Sequence, residues 1–303
     1  MLDQLLGASP LVRPAYSLMR MFARATAGVA THERMVHGVR WSWFEAGPSD
    51  GEPLVLLHGF AGSKDNWMLV APLLARRYRV ICPDLPGFGE SGLVREGDYS
   101  IGEQANRVVQ FIDALGIKSC SLGGNSMGGF IALTIALDAP DVVSALFLLN
   151  NAGVDGPQHT VAQESLKSGY DLFEVQSAED VSGLLALLMH QPPPLPWLAR
   201  RAIVAHLSHR HGIQRRIFDQ ILKDAVERPL NERLGEIAVP ALIMWGRSDD
   251  LLHVSAAEFQ HQQIAGAELV VLENAGHVPM LERPLRTARE MLSFGERLAA
   301  RSA

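Results

Sequence analysis

Gly124-Asn125-Ser126-Met127-Gly128 constrains this chain more than any other stretch, because of what stands on either side of it. Ser119–Leu122 reads as a buried strand, and the run from Phe130 to Leu137 reads as a helix. A G-x-S-x-G between a strand and a helix is a sharp turn that holds its serine in a strained backbone conformation at a helix N-terminus. The flanking glycines leave room for neighbouring backbone, and Ser126 is expected to stand out above a sheet edge.

A serine hydroxyl is a weak nucleophile until a base takes its proton, so a histidine has to come close in the fold. Of the 11 histidines, His206, His209 and His211 fall in a helix-only region, while His32 and His37 precede the first core strands. His277, in Asn274-Ala275-Gly276-His277-Val278-Pro279, follows the last expected strand and can swing over the sheet edge. The base needs a carboxylate on its other ring nitrogen to fix the tautomer. Ala241–Trp245 leads into Gly246-Arg247-Ser248-Asp249-Asp250, where Asp249 is preferred, with Asp250 and then Asp155 as alternatives. Preorganised N–H donors must meet the oxyanion formed on attack. Met127 offers one beside Ser126, and Phe60 offers another from the loop His58-Gly59-Phe60-Ala61-Gly62, which His58 is expected to brace.

Short branched and aromatic runs alternate with helical patterns from Arg34 onward, the signature of a mostly parallel sheet flanked by helices, an α/β fold. Met35–His37 and Val39–Glu45 read as an opening hairpin, and Leu54–Leu57, Val80–Pro83, Ala145–Leu149 and Leu269–Leu272 as further strands. Helices are expected at Trp67–Arg76 and Ile101–Leu115. Between 154 and 235 only helical patterns occur, at Val161–Phe173, Ala178–Met189, Leu198–Leu207 and Ile213–Ala225, so this stretch reads as a helical cap inserted between core segments 34–153 and 236–303.

Residues 1–33 read as an amphipathic helical segment in which arginines break every apolar run below the ~18 residues that a spanning helix needs. No cleavable signal pattern is present. The expectation is a segment packed on the body of a cytoplasmic protein, with peripheral membrane contact through residues 1–30 as the alternative. A net charge of −6 without any basic run argues against nucleic acid as a partner. Cys82 and Cys120 lie in apolar stretches and read as reduced core residues; no metal or dinucleotide motif occurs, so no cofactor and no metal are expected. Oligomeric state is not encoded in any pattern here.

His58-Gly59-Phe60-Ala61-Gly62-Ser63-Lys64-Asp65-Asn66-Trp67, Asp84-Leu85-Pro86-Gly87-Phe88-Gly89-Glu90-Ser91, Gly124–Gly129 and Gly276-His277 together resemble the α/β-hydrolase superfamily. The first block, with Leu272–His277 and Glu282-Arg283-Pro284, is similar to bacterial family V lipases and membrane-associated monoacylglycerol lipases. The resemblance implies a serine carboxylester hydrolase acting on small ester or lipid substrates, with Ser126, Asp249 and His277 as nucleophile, acid and base. An apolar helix around Gly183–Met189 over the sheet edge suggests an acyl pocket involving Leu184, Leu188 and Trp197. The same-fold alternative is a carbon–carbon hydrolase of ring-cleavage products, which shares G-N-S-M-G-G but carries H-G-G-G-P-G where this chain has His58-Gly59-Phe60. A non-catalytic ligand-binding protein on the same fold is the alternative from another class.

Overall fold

His37 and Gly38 both have positive φ, 45° and 79°, and make the two-residue turn that pairs strand β1 (Ala30–Val36) with β2 (Val39–Ala46). That backbone sense matches the twist of a hairpin. The computed structural model describes residue 24 and residues 27–94, 97–169 and 172–302. Six more strands follow: β3 (Glu52–Leu57), β4 (Tyr78–Pro83), β5 (Cys120–Asn125), β6 (Val143–Leu149), β7 (Ala241–Gly246) and β8 (Glu268–Leu272). They form one sheet in the order β1-β2-β4-β3-β5-β6-β7-β8. β2 is antiparallel to both its neighbours, and the remaining pairs are parallel.

Successive residues of the central strands serve opposite faces. Val55, Leu57, Leu122, Leu146, Leu148, Ile243 and Trp245 belong to one core, and Leu54, Leu56, Phe147, Leu149, Leu242 and Met244 to the other. The helices are α1 (Ile101–Ala114), α2 (Met127–Asp138), α3 (Val161–Lys167), α4 (Ala178–Leu188), α5 (Trp197–Glu227), α6 (Ser255–Gln263) and α7 (Pro284–Ser302). α1 and α2 cover the first core and α7 the second, so the strands are apolar at nearly every position, as strands between two helical layers must be. Register then sets the site: Leu57 pairs with Gly124, Asn125 with Leu149, Leu149 with Met244 and Gly246 with Leu272. The loops after β3, β5, β6, β7 and β8 therefore leave the sheet along one edge.

Several elements differ from the sequence expectation. Residues 30–33 belong to β1 rather than to an N-terminal helix, and residues 1–23, 25 and 26 of that expected segment lie outside the described residues. The helix expected over Trp67–Arg76 is a 3₁₀ turn at Lys64–Trp67 followed by one helical turn at Ala71–Leu74. Pro72 has no N–H to continue a ladder from Met68, so the helix restarts there. α3 stops at Lys167, because Gly169 takes a φ of 87° and ends it. The two helices expected at 198–225 are one, since Gly212 inside α5 costs only about 1 kcal/mol and no proline interrupts the run. Both cysteines are free and buried, and burial pushes the Cys120 thiol up to about 12. Among the described residues, no helix is long and apolar enough to cross a membrane.

A cluster of buried charges fastens the loops after β3 and β4 together. The fully buried Lys64 donates from Nζ to Asp84 Oδ2 at 2.5 Å, Glu90 Oε2 at 2.7 Å and Ser42 Oγ at 3.1 Å. Asp84 also accepts the backbone N–H groups of Lys64 and Glu90, each at 2.7 Å. Arg24 forks onto Asp65 at 2.8 and 3.0 Å and reaches Glu90 at 3.0 and 3.1 Å. Its guanidinium is thereby committed to the protein interior. Burial alone raises the Glu90 carboxyl, but Lys64 and Arg24 outweigh it and hold the group down at about 2.

Replacing Lys64 strands the Asp84 carboxylate inside the protein. Lys64→Met is expected to destabilise the fold by about 3–5 kcal/mol at pH 7 in a denaturant titration. The Glu90 contribution is present above its ordinary carboxylate range and is lost as pH falls toward 2, so Glu90→Gln should lower stability at neutral pH while flattening the acid limb of a Tm-against-pH curve.

Candidate active site

Ser126 has φ 54° and ψ −120°, a conformation that costs an ordinary residue strain. Neighbouring backbone enforces it. A Cβ on Gly124 would lie 2.2 Å from the Gly128 carbonyl carbon, and one on Gly128 would lie 2.3 Å from the Leu57 oxygen. Glycine at both positions lets β5 turn straight into α2 against the end of β3. Ser126 O accepts the N–H groups of Gly129, Phe130 and Ala152, while its own N–H is shared between Leu149 O and Asn150 O, both at 3.2 Å. The side chain is left half-buried, facing a cavity.

The structure brings His277 to that cavity and Asp249 behind it. His277 Nδ1 lies 2.8 Å from Asp249 Oδ2, so Nδ1 carries the proton and Nε2 is free to accept one. Asp249 Oδ2 also accepts from Asn150 Nδ2 at 2.6 Å, and Oδ1 accepts the N–H groups of Leu251 and Leu252 at 2.9 Å each. Four donors thus fix this carboxylate. Of the two alternatives, Asp250 is exposed, and Asp155 pairs with Lys167 at 2.8 Å on the cap side.

Asn125, Asn150 and Glu282 belong to this arrangement: Asn125 and Glu282 stand inside sequence blocks quoted above without a role assigned to them, and Asn150 stands in none. Asn125 Nδ2 donates to His277 O at 2.9 Å and Leu149 O at 3.0 Å. Asn150, fully buried with φ 44°, spans Asp249 and the Gly276 carbonyl. Glu282 accepts the N–H groups of Gly276 and His190, each at 2.7 Å. A polar residue directly after an apolar strand, as at Asn150, is the one signal the sequence offers. The cap also touches the base directly, since the N–H of His277 donates to Leu188 O at 2.9 Å.

On the other side of Ser126, a Cβ on Gly59 would be 3.1 Å from the Ser126 Cβ, so the loop after β3 lies against the serine. Phe60 lines the cavity, its ring held edge-on by Phe88 and Phe173. Met127 is the first residue of α2, where its N–H has no carbonyl of the preceding helical turn to meet. His58 accepts the Leu85 N–H at Nε2 (3.0 Å) and therefore donates from Nδ1 to Gly59 O at 2.8 Å. Burial pushes its pKa down, which suits a neutral brace between two loops.

The cavity measures about 380 Å³, within the roughly 300–1,000 Å³ common for small-molecule sites. Leu184, Leu185, Leu188, Met189 and Ile203 line its cap side together with Phe173. Trp197 does not reach it. As the first residue of α5 it is 46% exposed, with the Arg201 guanidinium 5.1 Å from its ring.

The model of the alpha/beta hydrolase family matches residues 54–290. The chain is 32% identical to Lipase 3 of Moraxella sp. (strain TA144), over 82% of its own length and 78% of that protein. It is 29% identical to monoacylglycerol lipase ABHD6 of Homo sapiens, over 96% and 88% of the two chains. Its structure matches the crystal structure of a membrane phospholipase A with a TM-score of 0.90 and 35% identity, covering 95% of this chain and 93% of that one.

Asn150 touches no cavity atom, so its effect has to pass through Asp249 and the backbone before His277. Loss of a hydrogen bond to a charged group is worth about 1.5–3 kcal/mol. Asn150→Ala is therefore expected to lower kcat by about 10- to 100-fold with KM little changed, measured on a soluble ester.

Proposed function

The chain belongs to the alpha/beta hydrolase family, and from that membership and the geometry of the cavity we infer that it is a carboxylester hydrolase of the lipase type, working through an acyl-enzyme on Ser126. One observation carries the reading: Ser126 and a histidine whose Nδ1 is tied to Asp249 face the same leucine-lined cavity.

The chemistry follows from the atoms in place. Ser126 Oγ attacks the ester carbonyl carbon while His277 Nε2 takes its proton, and Asp249 stabilises the imidazolium that forms. The carbonyl oxygen becomes an oxyanion beside the N–H groups of Phe60 and Met127. Collapse breaks the bond to the alcohol, which leaves with the proton from His277. Water then attacks the acyl-Ser126 carbonyl, gives its proton to His277, and the carboxylic acid departs as Ser126 recovers its own. The relatives named above act on lipid esters by their names, and the leucine-rich wall gives this chain a place for a fatty acyl group, which makes monoacylglycerols fitting substrates.

Each buried methylene contributes ~0.8 kcal/mol, so kcat/KM should rise by up to about 4-fold per added carbon from acetate to medium-chain esters. Leu188→Trp should shift the optimum to shorter chains. Ser126→Ala and His277→Ala should each lower kcat by roughly 10³- to 10⁶-fold in folded protein. A p-nitrophenyl ester series run beside monoacylglycerols measures all of these, and a strict preference for acetate contradicts the acyl-pocket reading.

A further inference from the structure

The cavity has a second wall of opposite character. Besides the cap leucines, it is lined by Gly62, Ser63, Asn66 and Gly89 from the loops after β3 and β4. Asn66 Oδ1 accepts the Ser63 N–H at 2.8 Å, and Asn66 N donates to Ser63 O at 3.0 Å. An N–H can only be received by the amide oxygen, so the orientation of this side chain is fixed and its Nδ2 is the end left over. Among the described residues, Nδ2 donates to no other group. Asn66 is only half-buried, so those two N–H donors are reachable.

The wall is stiff and close to the reacting atoms. Lys64 and Asp65, the two residues before Asn66, are held by Asp84 and Arg24. Gly62 N donates to Gly59 O, and Gly59 abuts Ser126. The Lys64–Trp67 turn packs against Pro279–Glu282, the helical turn that follows His277. The turn that carries Asn66 thus lies against the segment following the base, and Asn66 and His277 line the same cavity, where a departing alcohol receives its proton. Gly89, also on this wall, is held to glycine from behind, since a Cβ there would collide with the buried Asp84 carboxylate at 2.0–2.3 Å.

We propose that Asn66 and the turn around it form the subsite for the alcohol part of the ester and select a hydroxyl-bearing alcohol, such as glycerol, over a plain alkyl alcohol. The proposal rests on the ester-hydrolase reading above. The acyl chain lies along the cap leucines, and a free hydroxyl of the alcohol accepts a hydrogen bond from Asn66 Nδ2. An alkyl alcohol leaves that donor facing it without a partner, which costs binding. Asn66 acts as a specificity residue and takes no part in proton transfer.

The test compares hexanoate esters of glycerol and of 1-propanol, kept below the concentration at which either aggregates. The full-length protein should show a higher kcat/KM on the glycerol ester. Asn66→Leu should lower the glycerol-to-propyl ratio by about 3- to 10-fold, the range for one lost hydrogen bond, and Asn66→Ser by less. Any harm to the turn itself falls on both substrates alike, so the ratio isolates the contact. A ratio near one in the unsubstituted protein, or an unchanged ratio in both variants, overturns the subsite while leaving ester hydrolysis standing. Turnover of neither ester overturns the ester-hydrolase reading and the subsite with it.

Discussion

The backbone at Ser126 is where the structure is most tightly determined. A non-glycine residue at φ 54° and ψ −120° costs of order 1–3 kcal/mol, and such a conformation persists only where its surroundings leave no relaxed alternative. Here β5 runs into α2 without a loop, between the ends of β3 and β6, and its neighbours at 124 and 128 cannot carry a side chain. The same contacts that impose the strain align the loops after β3 and β6 with the serine. Everything else at the site is arranged around that fixed point.

From Ser126 the site divides into a polar side and an apolar side. The polar side rests on charges: Lys64, Asp84, Glu90, Arg24 and Asp65 tie two loops into one rigid support, and the neutral His58 bridges them again from within. The apolar side belongs to the cap, where Leu184, Leu185 and Leu188 line the cavity. These halves meet at His277, which is held by Asn125 from the sheet edge and by Leu188 O from the cap. The cap wall of the cavity and the placement of the base therefore share a contact at Leu188.

The sheet and the position of Ser126 are legible in the sequence because strands buried on both faces are apolar at nearly every position and the glycine-flanked serine sits between a strand and a helix. His277 and Asp249 are legible through the loops they occupy. The sequence favours Asp249 but keeps Asp250 as an alternative, because the deciding fact is which carboxylate turns inward to meet the N–H groups of Leu251 and Leu252. Asn150 is unreadable for a related reason: its partners, Asp249 and Gly276, are about a hundred residues away and meet it only once the strands are in register. Trp197 misleads because the face a residue takes on a helix depends on where that helix begins, and α5 begins with it. Lys64 stands in one of the quoted sequence blocks, but nothing in that block shows that Asp84 and Glu90 meet it in the interior.

The central claim is that one serine out of all those in the chain is the nucleophile and that His277 activates it. Labelling with an alkyl phosphonate that reacts with activated serines, followed by peptide mass spectrometry, tests this most directly. The account predicts a single adduct, on Ser126, at one equivalent per chain, with the rate of labelling collapsing in His277→Ala. An adduct on another serine, or labelling of Ser126 at an undiminished rate without His277, would contradict it.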